Sequence, residues 1–259
     1  MYKTYRKRLS DMTSAAGSTS VERLKNKLRE PAADIRYLLY RGYRRKGAIR
    51  FVSNHYRLAE EERHILTRLI FDPETAARRS NKRLACSRLK GCDIFIDGYN
   101  VLITMESVLH NETVWFADDG FLRDTRGIFK NHTNTATTYQ AVDEMLTTLS
   151  VLAINSATIL LDSQMSNSGK LAQFIRKRAA KCPFKTAVTT SKNVDFDLKQ
   201  VGYRGVIATA DSVIVDAVER AADLTACWME QNGIVGENIG NGEKHTSITD
   251  IDRMNRICQ

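Results

Sequence analysis

Residues 93–102 read DIFIDGYNVL, and this stretch sets the fold class. The apolar run at 94–96 has the length of a buried strand and stops on Asp97. Comparable runs stand at 113–116, 158–161, 186–189 and 206–209, separated by helical patterns near 134–153, 168–181, 193–200 and 212–230. Short apolar runs alternating with helices predict an α/β domain with a mostly parallel sheet over residues 91–230. The Gly/Asn-rich stretch 231–259 is expected to be a loose tail.

Three of the runs end in an acid: DIFID at Asp97, TILLD at Asp162 and VIATAD at Asp211. In a parallel sheet the C-terminal strand ends share one edge, and ligand crevices form outside it. Carboxylates gathered there repel unless a proton or a cation lies between them. An all-oxygen set favours a hard ion, Mg2+ or Mn2+, able to activate water and steady a phosphoryl group under attack. The competing role for each is helix N-capping, which an Asp after a strand commonly performs. Asp119, in the turn ADDGFLRD at 117–124 with Asp118 and Asp124, and Asp216 in the last helical stretch are the further candidate ligands. The loop DSQMSNSGK, 162–170, opens a helix and offers Ser166, Asn167, Ser168 and Lys170 to a phosphate. It is not a Walker A loop, since Gln164 stands where its first glycine belongs and Leu171 replaces the Ser/Thr.

Upstream, the composition changes. Residues 1–90 hold 23 Lys and Arg against nine Asp and Glu, a net of +14, while 91–259 hold 16 against 21, a net of −5. Such asymmetry points to a polyanion-binding portion joined to one with a different task. Residues 1–20 are expected to form a flexible basic arm, and 21–90 a basic, helix-turn-helix-like helical domain. Within it, Pro31 is expected to open a new helix, Ala48, Phe51 and Val52 to face inward, and Glu60–Glu62 to favour a helix start. Tyr37, Tyr40, Tyr43 and Tyr56 alternate with Arg36, Arg41, Arg44, Arg45, Lys46, Arg50 and Arg57. Guanidinium groups suit phosphates and tyrosine faces stack on unpaired bases, which makes nucleic acid, and RNA first, the expected partner.

No run approaches the roughly 18 apolar residues of a membrane span, and no apolar secretory stretch follows the basic start, so a cytoplasmic location is expected. The five histidines form no HxxxH or HExxH pair and the five cysteines no CxxC pair, so zinc chemistry has no support. Reduced thiols are expected.

IDGYNVL at 96–102 resembles the first motif of PIN-like ribonucleases, above all their NYN branch, in which a strand-end Asp followed by Gly and Asn begins the metal site. TAD at 209–211 resembles the closing Thr-x-Asp motif of that superfamily, and Asp162 matches a central-strand acid of NYN members. The resemblance covers about 91–225 and implies an α/β/α sandwich with divalent-metal-dependent nuclease activity, usually on RNA. Asp97, Asp162 and Asp211 would be the catalytic acids. Val213 stands where many such enzymes have a further acid, so Asp119 or Asp216 would have to compensate. A non-catalytic nucleic-acid-binding or regulatory protein on a degenerate scaffold is the alternative. YLLYRGYRRKGAIRFVSNHYRLAEEERHIL at 37–66, with DSQMSNSG at 162–169, is also similar to a prokaryotic, mainly archaeal family. That family combines domain of unknown function 434 with a C-terminal 5616-type domain and implies no activity.

Overall fold

The computed structural model describes residues 15–125 and 132–240. Four helices come first: α1 (Ala15–Tyr40), α2 (Arg45–His55), α3 (Glu60–Leu69) and α4 (Pro73–Lys82). There follow β1 (Asp93–Asp97), α5 (Gly98–Leu109), β2 (Val114–Phe116), β3 (Leu122–Asp124) and α6 (Ala136–Val151). The remainder is β4 (Ser156–Asp162), α7 (Ser168–Ala179), β5 (Lys185–Ser191), α8 (Val194–Lys199), β6 (Val206–Ala208), α9 (Ser212–Ala217), β7 (Ala221–Ala222), α10 (Leu224–Asn232) and β8 (Glu237–Asn238).

The central sheet runs β5-β4-β1-β6-β7 with every pairing parallel, so the chain is α/β as the alternating runs predict. Helices cover both faces, which is why the inner strands read as continuous apolar runs. On one face Leu102, Met145, Ile175 and Trp228, from α5, α6, α7 and α10, share a core with Ile94 and Ile96. On the other, Leu198 of α8 and Ile214 and Val215 of α9 pack against Leu160 and Ile207.

Gly98 makes the sharp exit from β1 into α5 possible. A Cβ there would lie 2.6 Å from Leu161 Cδ2 and 2.8 Å from the Leu160 carbonyl oxygen, so only glycine allows α5 to begin against β4.

Several local expectations need correction. Helix α1 runs unbroken through Pro31, because Leu28, Ala32, Ile35 and Leu39 form one buried stripe across it and tertiary packing outweighs the local break. It starts at Ala15, inside the expected flexible arm; residues 1–14 of that arm lie outside the described residues. Ala48 and Val52 are buried, whereas Phe51 is 66% exposed. The stretch 212–230 is two helices separated by β7, whose Ala221 and Ala222 add the fifth strand beside β6. Helix α5 gives no amphipathic signal because ten of its twelve residues are buried. The 113–116 run joins a second, three-stranded sheet, β3-β2-β8, instead of the central one. In the expected tail, β8 pairs with β2 and Ile239 is buried; residues 241–259 lie outside the described residues. Cys86 and Cys227 form a disulfide, with Cα atoms 5.6 Å apart, although 141 residues separate them in sequence. Their scattered positions in the chain hid that proximity.

The helical unit does not close on itself. Its core of Leu28, Ile35, Leu66, Leu69 and Ile70 also takes in Trp115, Ala117 and Ile239 from the β2–β3 turn region and the end of β8. Among the described residues no helix is long and apolar enough to cross a membrane.

Candidate functional site

Asp97 closes β1 and is only 7% exposed. Its carboxylate accepts from the Thr209 hydroxyl at 3.0 Å, and the Asn100 backbone N–H also donates to it. Asn100 Oδ1 in turn accepts from the Ala210 N–H at 2.8 Å, and Thr209 Oγ1 accepts from the Asp211 N–H at 3.1 Å. The DGYN and TAD stretches are thus one hydrogen-bonded unit joining the ends of β1 and β6. Burial pushes the Asp97 carboxyl up from 3.8 to about 7; the Thr209 hydrogen bond opposes this, and the Asp211 and Asp195 charges add to it. No lysine or arginine pairs with Asp97 among the described residues, so nothing there neutralises its charge.

Asp97, Asp162 and Asp211 line a single cleft of about 810 Å³ at the C-terminal edge of the sheet. Each outer acid also organises its own turn: Asp162 accepts from the Gln164 N–H at 2.8 Å and Asp211 from the Val213 N–H at 2.6 Å. Asp211 thereby caps α9 and lines the cleft at once, whereas Asp162 caps no helix, α7 starting after Asn167. Asp195, at the start of α8, joins them on the cleft wall. The far wall comes from the helical unit: Arg45, Thr67, Arg68, Phe71 and Arg79 line it, and Lys192 and Lys199 flank the opening. The Nε of Arg68 is buried and has no hydrogen-bond partner.

The other expected ligands sit elsewhere. Asp119 is fully buried and paired with Arg123 at 2.7 Å and Arg79 at 3.2 Å. Asp216 binds Arg79 at 2.7 Å and Arg78 at 3.2 Å, and the Arg79 hydrogen bonds hold its carboxyl down at about 2. Neither lines the cleft: both carboxylates anchor α4 to the α/β domain. Among the described residues no group of three or more His, Cys, Asp or Glu side chains is arranged to hold a metal ion. Asp97 feels the charges of Asp211 and Asp195, and Asp162 lies two residues beyond Leu160, the β4 partner of Asp97. Mg2+ keeps several of its waters and commonly needs only one or two carboxylates, so this donor set fits a hydrated dication better than a full protein cage.

Of the expected phosphate loop, Ser166, Asn167 and Lys170 are exposed and Ser168 is buried. None of the four lines the cleft. Asn167 takes a left-handed φ of +59° and the Ser168 N–H donates to the Met165 carbonyl. On the helical unit, Arg41, Tyr43, Arg44, Lys46, Arg50 and Arg57 are exposed, as are Tyr37, Tyr40 and Phe51. Two members of that set turn to the protein. Arg45 bonds the Ile70 and Thr67 carbonyls and lies 4.4 Å over the Phe71 ring, and the Tyr56 hydroxyl donates to Asp34 at 2.8 Å.

Sequence reasoning missed Asn100, Thr209, Asp195, Arg68, Lys192 and Lys199. Asn100 and Thr209 stood inside quoted motifs, and Asp195 and Lys192 follow the end of β5, where the strand-end rule applies equally. Arg68 carried no signal, since only the folding of α3 over the sheet edge brings it to the cleft.

The fold and cleft define an α/β protein carrying a cationic helical cap. The chain belongs to the family described as Domain of unknown function (DUF5616), matched over residues 86–227, and residues 27–82 match Protein of unknown function (DUF434). An uncharacterized protein of Methanocaldococcus jannaschii is 33% identical over 195 residues, covering 74% of this chain and 92% of that protein. No solved structure matches.

Proposed function

We propose that the chain is a PIN-like, divalent-metal-dependent nuclease acting on RNA. One observation carries the proposal: a buried carboxyl without a counter-cation, Asp97, shares a cleft with Asp162 and Asp211, and Arg45, Arg68, Lys192 and Lys199 line the same cleft. Acids on one wall and arginines on the other suit a phosphodiester held between a hydrated cation and guanidinium groups. Asp97 and Asp211 would hold Mg2+ or Mn2+, and the ion would supply activated water and charge neutralisation. The chain's own residues do the rest. Asn100 and Thr209 fix the Asp97 carboxylate and the β6 end in one geometry, and Arg68, Lys192 and Lys199 draw in the phosphate backbone. The exposed tyrosines of α1 and the Tyr43 turn offer stacking faces to unpaired bases.

The occupation of Asp119 and Asp216 by Arg79 favours a second reading, a non-catalytic nucleic-acid-binding protein on a degenerate scaffold. One assay separates the two. A labelled oligoribonucleotide should be cut in Mn2+ and spared in chelator, and Asp97→Asn should stop cutting while binding persists. Tight binding with no metal-stimulated cleavage of any RNA or DNA would leave the second reading in place.

A further inference from the structure

The helical unit carries another pocket, of about 520 Å³, beside the acid-lined cleft. Arg45, Lys46, Arg50 and Arg63 line it together with Ser53 and Thr67, and no acid does. Lys46 and Arg50 are exposed and form no ion pair among the described residues. Arg63 is fixed by bonds to the Leu58 carbonyl and Asn54 Oδ1, both 2.8 Å, and Arg45 by its bond to the Ile70 carbonyl at 2.8 Å. Ser53 is fully buried in the wall and its hydroxyl has no partner.

We propose that this pocket is a subsite for a terminal phosphate monoester of a nucleic-acid strand. Asp72 and Asp119 act favourably on Arg45, whereas Lys46, Arg50 and Arg63 form no ion pair among the described residues and attract an anion. An internal phosphodiester brings one negative charge, whereas a phosphate monoester brings about 1.5 to 2 and three acceptor oxygens. Two guanidinium groups already held in place reduce the ordering cost of gripping it. Arg45 and Thr67 line both this pocket and the cleft, so a strand whose end is seated here continues toward Asp97. The inference rests on the proposed nucleic-acid binding and adds to it a preference for one kind of strand end.

The test uses the full chain in chelator and three oligoribonucleotides of one sequence, bearing a 5′-phosphate, a 3′-phosphate or hydroxyls at both ends. One phosphorylated form should bind about tenfold tighter or better than the hydroxyl form. Arg50→Glu and Lys46→Glu should bring that ratio close to one. Inorganic phosphate at matched ionic strength should compete with the phosphorylated strand and leave the hydroxyl strand bound. Equal affinity for all three strands overturns the subsite and leaves nucleic-acid binding standing. Binding to none of them overturns both.

Discussion

Replacing Asp97 with Asn should stabilise the protein at alkaline pH and destabilise it at acid pH. The carboxyl is raised from 3.8 to about 7, chiefly by burial. A carboxyl raised in the folded state keeps its proton longer there than in the unfolded chain. Its contribution is therefore fully present below pH 3.8 and is lost as pH rises through about 7. The shift of some three units corresponds to at most about 4 kcal/mol at pH 8, at roughly 1.4 kcal/mol per unit. Asn retains an acceptor for the Thr209 hydroxyl but brings an amide that needs acceptors of its own, so about half that gain is expected. Thermal unfolding of both proteins at pH 4 and pH 8 provides the check. The Tm difference should favour Asp97→Asn by several degrees at pH 8 and reverse at pH 4, where the wild-type carboxyl is largely protonated and only the cost of the amide remains. Mn2+ should raise the Tm of the wild type at pH 8 and leave the variant unmoved. A difference of the same size at both pH values would refute the picture of Asp97 as a buried, uncompensated carboxyl.

Gly98→Ala should cost about 1–3 kcal/mol in urea unfolding, because the backbone carbonyl of Leu160, 2.8 Å from the new Cβ, cannot swing aside as a side chain would. Arg79→Met should cost about 3 kcal/mol by the same measurement, the low end for breaking a buried pair, since Arg123 still partners Asp119. Alkylation of the unreduced, denatured protein should label Cys92 and Cys182 and leave Cys86 and Cys227 unlabelled, and dithiothreitol should lower stability by about 2–4 kcal/mol.

The parallel sheet was legible because β1, β4 and β6 are bordered on both sides by other strands and carry unbroken apolar runs with an acid at the end. The cleft was legible for the same reason: strand order places Asp97, Asp162 and Asp211 on one edge whatever their spacing in the chain. The fate of Asp119 and Asp216 was not. In sequence they are acids after a strand and in a helix, and only the docking of α4 brings Arg79 between them. Helix α5 was hidden because ten of its twelve residues are buried, and β7 by its length of two alanines, which offers no periodicity. The disulfide depended on where α10 comes to rest, a property of the whole fold.

Trp115, Ala117 and Ile239 sit among the helices of the cationic cap, although they belong to the strands beyond it. The cap is therefore riveted to the region of the second sheet through a common interior. On the proposed function, a polynucleotide entering the cleft would have to conform to a cap held in place by this packing. On that reading, the pliability of the strand would matter before any side chain touches a base.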